Sequence, residues 1–184
     1  ANEKRQTAVA DNPIQAHVAD DLLYRHWTSY ADGTRSHILL LDRASMELTD
    51  LTPGDFDSPA FSLGDIGLAF SPDGKELAFV SNRDDNNAQS WTTNKDLFVV
   101  STDVGGKKVP KPRNLTDDNE GFDGHPVYSP DGKYIAFRRQ TVPAYESDQF
   151  ELALLERASG TVTVLTEPVD NWVDDMKWVS QDRL

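Results

Sequence analysis

Phe70 to Asn82 reads FSPDGKELAFVSN, and Tyr128 to Gln140 reads YSPDGKYIAFRRQ. The two stretches begin 58 residues apart, and a weaker third copy, KWVSQDRL, places its aromatic residue at Trp178, a further 50 along. There Gln181 and Asp182 stand where the first two copies have Asp and Gly. The shared SPDG has a local physical meaning. Pro72 and Pro130 preset φ for the second position of a tight turn. Ser71 and Ser129 offer a hydroxyl to the backbone, and Gly74 and Gly132 take positive φ at low cost. A short strand precedes each turn, Ile66 to Phe70 and Pro126 to Tyr128. An alternating strand follows, with Leu77 and Phe79, then Ile135 and Phe137, on one side and Ala78 and Ala136 on the other.

A second echo extends the unit. Leu39 to Thr52, LLLDRASMELTDLT, matches Ala153 to Thr166, ALLERASGTVTVLT, at a constant offset of 114. Both read as hairpins turning at Arg-Ala-Ser. A middle copy, Leu97 to Thr116, has a longer turn, VGGKKVPKP, and also ends in Leu-Thr. Each unit is therefore strand, tight turn, strand, long loop, strand, short turn, strand. Four antiparallel strands in about 50 residues is the size of a β-propeller blade, which must stack on neighbours to bury its faces. The sequence predicts an all-β partial β-propeller of about three four-stranded antiparallel blades plus the start of a fourth. The whole of residues 1–184 is assigned to it, with blades at about 12–52, 66–116 and 124–166 and an incomplete blade at 176–184. The first hairpin of the first blade reads as degenerate. Propellers close with about four to eight blades, so the chain reads as a fragment whose open strand edges are capped, paired with another copy or part of something larger.

Composition sets further bounds. The 184 residues carry a formal net charge of −13, a balance that repels phosphate backbones and excludes nucleic acid as an expected partner. No apolar run approaches the roughly 18 residues of a membrane span, and no signal peptide is visible. With no cysteine there is no disulfide or thiolate site.

Strands that alternate in direction sort the connections to two faces. SPDG and RAS turns share one. The other gathers long loops: Arg25–His37, Asn82–Asn94 and Arg138–Gln149 within blades, and Pro53–Asp65, Asp117–Gly124 and Glu167–Asp175 between them. Each carries an aromatic residue: Trp27 and Tyr30, Trp91, Tyr145, Phe56 and Phe61, Phe122, and Trp172. Such residues either anchor a partner or fold back over the blade edges. The stretch RHWTSYADGTRSH reads as the most informative. On a strand, Arg25 and Trp27 face one side and His26 the other. Arg25 either pairs with a carboxylate beneath Trp27 or orients a substrate carbonyl or a neighbouring domain.

No catalytic motif is present: no G-x-S-x-G elbow, no phosphate-binding glycine loop, no H-E-x-x-H. His17, His26, His37 and His125 lack metal-ligand spacing, and no metal or cofactor is expected. Asp84-Asp85-Asn86-Asn87 lacks the glycine and distant glutamate of a calcium loop. The denser cluster Asp117, Asp118, Glu120 and Asp123 is either a solvated turn or a seat for a cation or amine. Asn114-Leu115-Thr116 fits a glycosylation pattern but reads better as a strand end.

SPDGK followed by a hydrophobic residue, Ala and Phe resembles the repeat of TolB-type propellers and of the propeller in prolyl oligopeptidase family serine peptidases. With Leu23–His37, LYRHWTSYADGTRSH, the resemblance narrows to the bacterial and fungal dipeptidyl-peptidase and acylaminoacyl-peptidase branch, over about residues 14 to 184. It implies a C-terminal α/β-hydrolase domain in the parent chain, bearing a Ser-Asp-His triad that this stretch lacks. It also implies a non-catalytic role for the propeller: gating entry and positioning short peptides. Many relatives are secreted or periplasmic, which tilts the expected compartment outward. Expected contact residues for substrate or domain are Arg25, His26, Trp27, Trp91, Phe122, Tyr145 and Trp172. A TolB-like periplasmic protein-binding module is the alternative.

Overall fold

A computed structural model describes residues 7–184 apart from 9, 15, 17, 21, 23, 61–66, 86–87 and 106–108, with His26 described by its backbone only. Readings that rested on His17, Leu23, Phe61, Ile66, Asn86 and Asn87 lie outside the described residues.

Two four-stranded antiparallel sheets dominate. In one, β5 (Leu68–Phe70), β6 (Glu76–Ser81), β7 (Asp96–Ser101) and β8 (Arg113–Asn114) lie side by side in chain order. In the other, β9 (Asp123–Tyr128), β10 (Tyr134–Arg139), β11 (Glu151–Glu156) and β12 (Val162–Val164) repeat that order. The alternating pattern becomes two packing layers. Leu77, Phe79, Phe98 and Val100 cover one face of the β5–β8 sheet and meet Leu51 and the half-buried Ile38 and Leu40. Ala78, Val80, Leu97 and Val99 cover its other face and meet Ile135, Phe137, Ala153 and Leu155 of the next sheet. Phe79 and Phe98 pair across strands with stacked rings, centroids 5.6 Å apart. Burying each such ring contributes about 1.5–3 kcal/mol. Ala78 faces the neighbouring blade with no bulk, which lets the two sheets approach.

The SPDG turns are built identically. Gly74 N donates to Ser71 O and Gly132 N to Ser129 O, each at 2.8 Å, with φ of 70° and 69° at the glycines. Ser71 Oγ donates to Asp73 and accepts from Glu76 N; Ser129 Oγ does the same with Asp131 and Tyr134 N. The repeated Leu-Thr also has a cause. The threonine hydroxyl accepts from a backbone N–H at the start of the third strand in every unit: Thr52 from Ile38, Thr116 from Leu97 and Thr166 from Leu152, at 2.9, 3.1 and 2.8 Å. A short polar side chain closes the edge where the fourth strand ends.

The first unit departs from a four-stranded blade. Its strands form two separate ribbons, β1 (Arg25–His26) with β2 (Ser29–Tyr30), and β3 (Leu39–Leu41) with β4 (Leu48–Asp50). The intervening segment is pulled elsewhere. Arg35 Nε pairs with Asp55 at 2.8 Å, and Ser36 N donates to Asp57 at 2.7 Å, so residues 31–38 follow the inter-blade loop instead of bridging the ribbons. At the chain's other end, Val179 N donates to Arg183 O across a tight turn, the start of the next hairpin.

Two of the aromatic residues that precede SPDG-type turns reach for the preceding blade. Tyr128 Oη donates to Glu76 at 2.8 Å, and Trp178 Nε1 donates to Val127 O at 3.2 Å. Arg157 completes the first joint, pairing with Glu76 at 2.7 Å and lying over the Tyr128 ring. Phe70, in the equivalent place, stays half-exposed and lines an open cleft of about 830 Å³ beside Leu40 and Leu41.

Candidate functional site

The connections sort by length as strand alternation requires. Thr102 Oγ1 and Arg157 Nη1 donate to Gly74 O and Gly132 O, knitting the short turns at one end. At the other end the long loops are tied into one rim. Lys95 N donates to Gly121 O, Asp123 N to Lys95 O and Gln140 N to Phe122 O. Val173 N donates to Phe150 O, and Gln149 Nε2 reaches Val169 O and Asn171 O. Ala144 N donates to Thr93 Oγ1, joining the loops that carry Trp91 and Tyr145.

Aromatic residues occupy this rim in two ways. Phe122, Phe150 and Trp172 form a row, with successive edge-to-face contacts at 5.3 Å centroid separation. Arg138 lies 3.8 Å over Phe150, and Lys95 lies 5.4 Å from Phe122. Trp172 at the end of the row stays exposed, as do Trp91 and Tyr145 on their own loops. The structure thus brings Phe122 and Trp172 together through Phe150, a residue that sequence reasoning missed. Its signal was its place just before β11, one residue beyond a polar loop.

The Arg25–Trp27 segment differs from its expected form. Arg25 and His26 lie on β1, but Trp27 occupies the hairpin turn with φ of 44°, so no shared strand face joins Arg25 and Trp27. This hairpin splits what reads in sequence as one long loop. Arg25 is exposed, and among the described residues it makes no ion pair, so the carboxylate partner beneath Trp27 is not found. Among the strands, β1 and β2 contact only each other.

Beneath the rim the acidic cluster resolves into a buried ion pair. Asp123 is fully buried and takes both Nε and Nη2 of Arg139, at 2.8 and 3.1 Å; Asp118 adds a longer contact at 3.4 Å. Asp96 sits nearby at the start of β7. Its Oδ2 accepts from Asn114 at 2.8 Å, while Oδ1 is buried without a partner. Burial, opposed by the Asn114 bond and reinforced by Asp123, Asp84 and Asp117, pushes this carboxyl up to about 6. Asn114 and the buried Thr116 are therefore engaged in strand closure. His37 is held between Asp50 at 2.7 Å and Gly54 O at 3.0 Å. His125 takes φ of 56° in a bulge of β9, where the sister blade has Gly67 at 64°, and pairs with Asp175 at 3.2 Å. Among the described residues no three His, Asp or Glu side chains are placed to hold a metal ion.

Consecutive four-stranded antiparallel meanders, stacked face to face with long loops at one end, define a β-propeller segment. No family model matches the chain. It is 33% identical to dipeptidyl-peptidase 5 of Porphyromonas endodontalis over 84% of its length, and 28% identical to that of Porphyromonas gingivalis over 90%. It is also 30% identical to dipeptidyl-peptidase 5 of Trichophyton equinum over 97%. It spans about a quarter of these relatives: 22%, 24% and 27% respectively. A solved structure of TolB from Acinetobacter baumannii is similar over 70% of this chain and 26% of that one, at 19% identity and a TM-score of 0.46. The chain is a propeller segment similar in sequence to about a quarter of the length of these dipeptidyl-peptidase 5 proteins.

Proposed function

We propose that the long-loop face receives short peptides, limits their entry and positions them for a C-terminal α/β-hydrolase domain of the longer protein. The propeller supplies no catalytic group in this reading. The supporting observation is the rim itself. Backbone hydrogen bonds fuse four loops into one edge, and that edge presents Trp91, Tyr145 and Trp172 to solvent. Flat, stiff side chains on a tied rim offer contact area at little entropic cost. The surrounding loops carry Asp84, Asp85, Asp117, Asp118, Glu120, Asp148, Asp170 and Asp174, a negative field that draws a peptide's ammonium end.

The test is kinetic, in the protein that carries both domains. Trp172→Ala and Trp91→Ala raise KM several-fold for short peptides and leave kcat unchanged, because they remove binding shared by ground and transition states. Loss of the rim aromatics also raises kcat/KM for longer peptides relative to short ones. Unchanged KM together with unchanged length preference defeats the reading.

A further inference from the structure

Four arginines at or below the blade junctions illustrate a contrast. Arg35 pairs with Asp55, Arg139 with Asp123 and Arg157 with Glu76. Among the described residues, Arg83, at the exit of β6 into the long loop, pairs with no carboxylate. Its guanidinium is instead boxed by rings, with Cζ 4.3 Å from the Phe98 centroid, 5.3 Å from Phe56 and 5.8 Å from Phe79. Nε is buried without a hydrogen-bond partner, whereas the two terminal nitrogens make no hydrogen bond among the described residues and are not fully buried. They therefore face solvent.

This is an unusual way to keep a cation in a chain with 31 acidic residues and 18 basic ones. Carboxylates are abundant on the neighbouring loop, yet Asp84 is committed to Asn94 and Asp85 to the N–H of Ala88. Three rings from separate segments flank the guanidinium: Phe56 from the inter-blade loop, Phe79 from β6 and Phe98 from β7. A planar fork packed among rings, stripped of part of its water and, among the described residues, without an anion is suited to a two-pronged carboxylate contact. Desolvation lowers the Arg83 pKa, and an incoming anion offsets that burial.

We propose that Arg83 is the recognition point for the free C-terminal carboxylate of a short peptide bound on the long-loop face. The inference rests on the peptide-binding reading above and assigns it a chemical end: the acidic rim draws the ammonium group, and Arg83 takes the carboxylate. A short peptide is then oriented across the face by opposite charges at its two ends.

The experiment is a nitrogen-15 NMR titration of the full chain, reading the Arg83 Nε–H signal. That signal is isolated by ring-current shift and identified by its loss in Arg83→Lys. The probes are an unmodified tripeptide, the same tripeptide with an amidated C-terminus, and sodium chloride at equal ionic strength. The free tripeptide is expected to shift the Arg83 signal saturably, and the amide to bind about tenfold more weakly, as loss of a charge-assisted pair requires. Arg83→Lys, which keeps the charge and loses the fork, weakens binding of the free tripeptide and leaves that of the amide unchanged. Equal binding of amide and free tripeptide overturns the Arg83 assignment while leaving the peptide-binding face intact. Binding of neither tripeptide sinks both. An Arg83 shift matched by chloride overturns the assignment as non-specific anion contact.

Discussion

Replacing Asp96 with Asn isolates one buried charge. The carboxyl is 7% exposed, accepts from Asn114 through Oδ2 and leaves Oδ1 unpartnered. Burial chiefly, against the Asn114 bond, lifts its pKa from 3.8 to about 6. The folded state therefore holds this proton over a pH range in which the unfolded chain has released it. The stability so gained is complete below about pH 4 and is lost as pH rises through about 6. A displacement of about two pKa units corresponds to about 3 kcal/mol across that window. Asn keeps the shape and can still accept from Asn114, but it carries no charge to bury. Urea unfolding at a series of pH values is the assay. The stability of Asp96→Asn relative to the parent should rise by about 2–3 kcal/mol between about pH 4 and pH 8, at constant m-value, and level off above about pH 7. Parallel stability curves for the two proteins over that range would refute the assignment of a strained, desolvated carboxylate at this position.

Three further outcomes test the blade architecture. Thr116→Val leaves the Leu97 N–H buried without its acceptor and should cost about 1–3 kcal/mol in chemical denaturation, with a smaller loss for Thr166→Val at a more open edge. His125→Gly should be more stable than His125→Ala by about 1 kcal/mol, since glycine takes the positive φ freely as Gly67 does in the sister blade; equal stabilities would contradict the strain. Glu76→Ala strips acceptors from both Tyr128 and Arg157 and should cost about 2 kcal/mol, with Glu76→Gln losing about half as much, both read from the midpoint of urea unfolding.

The sequence alone determined the repeat, the turn chemistry and the alternation of faces. SPDG specifies its own hydrogen bonds within five residues. Leu77, Ala78 and Phe79 fix which side of the sheet is bulky, because side-chain period in a strand is two. The sorting of long loops to one end also followed, since antiparallel connectivity dictates it. What the tertiary structure decided depends on contacts between distant segments. Phe150 joins Phe122 to Trp172 only because two inter-blade loops converge. Arg83 meets three rings drawn from three segments. The first unit splits into two ribbons because Arg35 and Ser36 find Asp55 and Asp57 about twenty residues away. Local propensity speaks for turns and strands; partners separated by long stretches of chain are chosen by packing, and a single sequence carries no distance information about them.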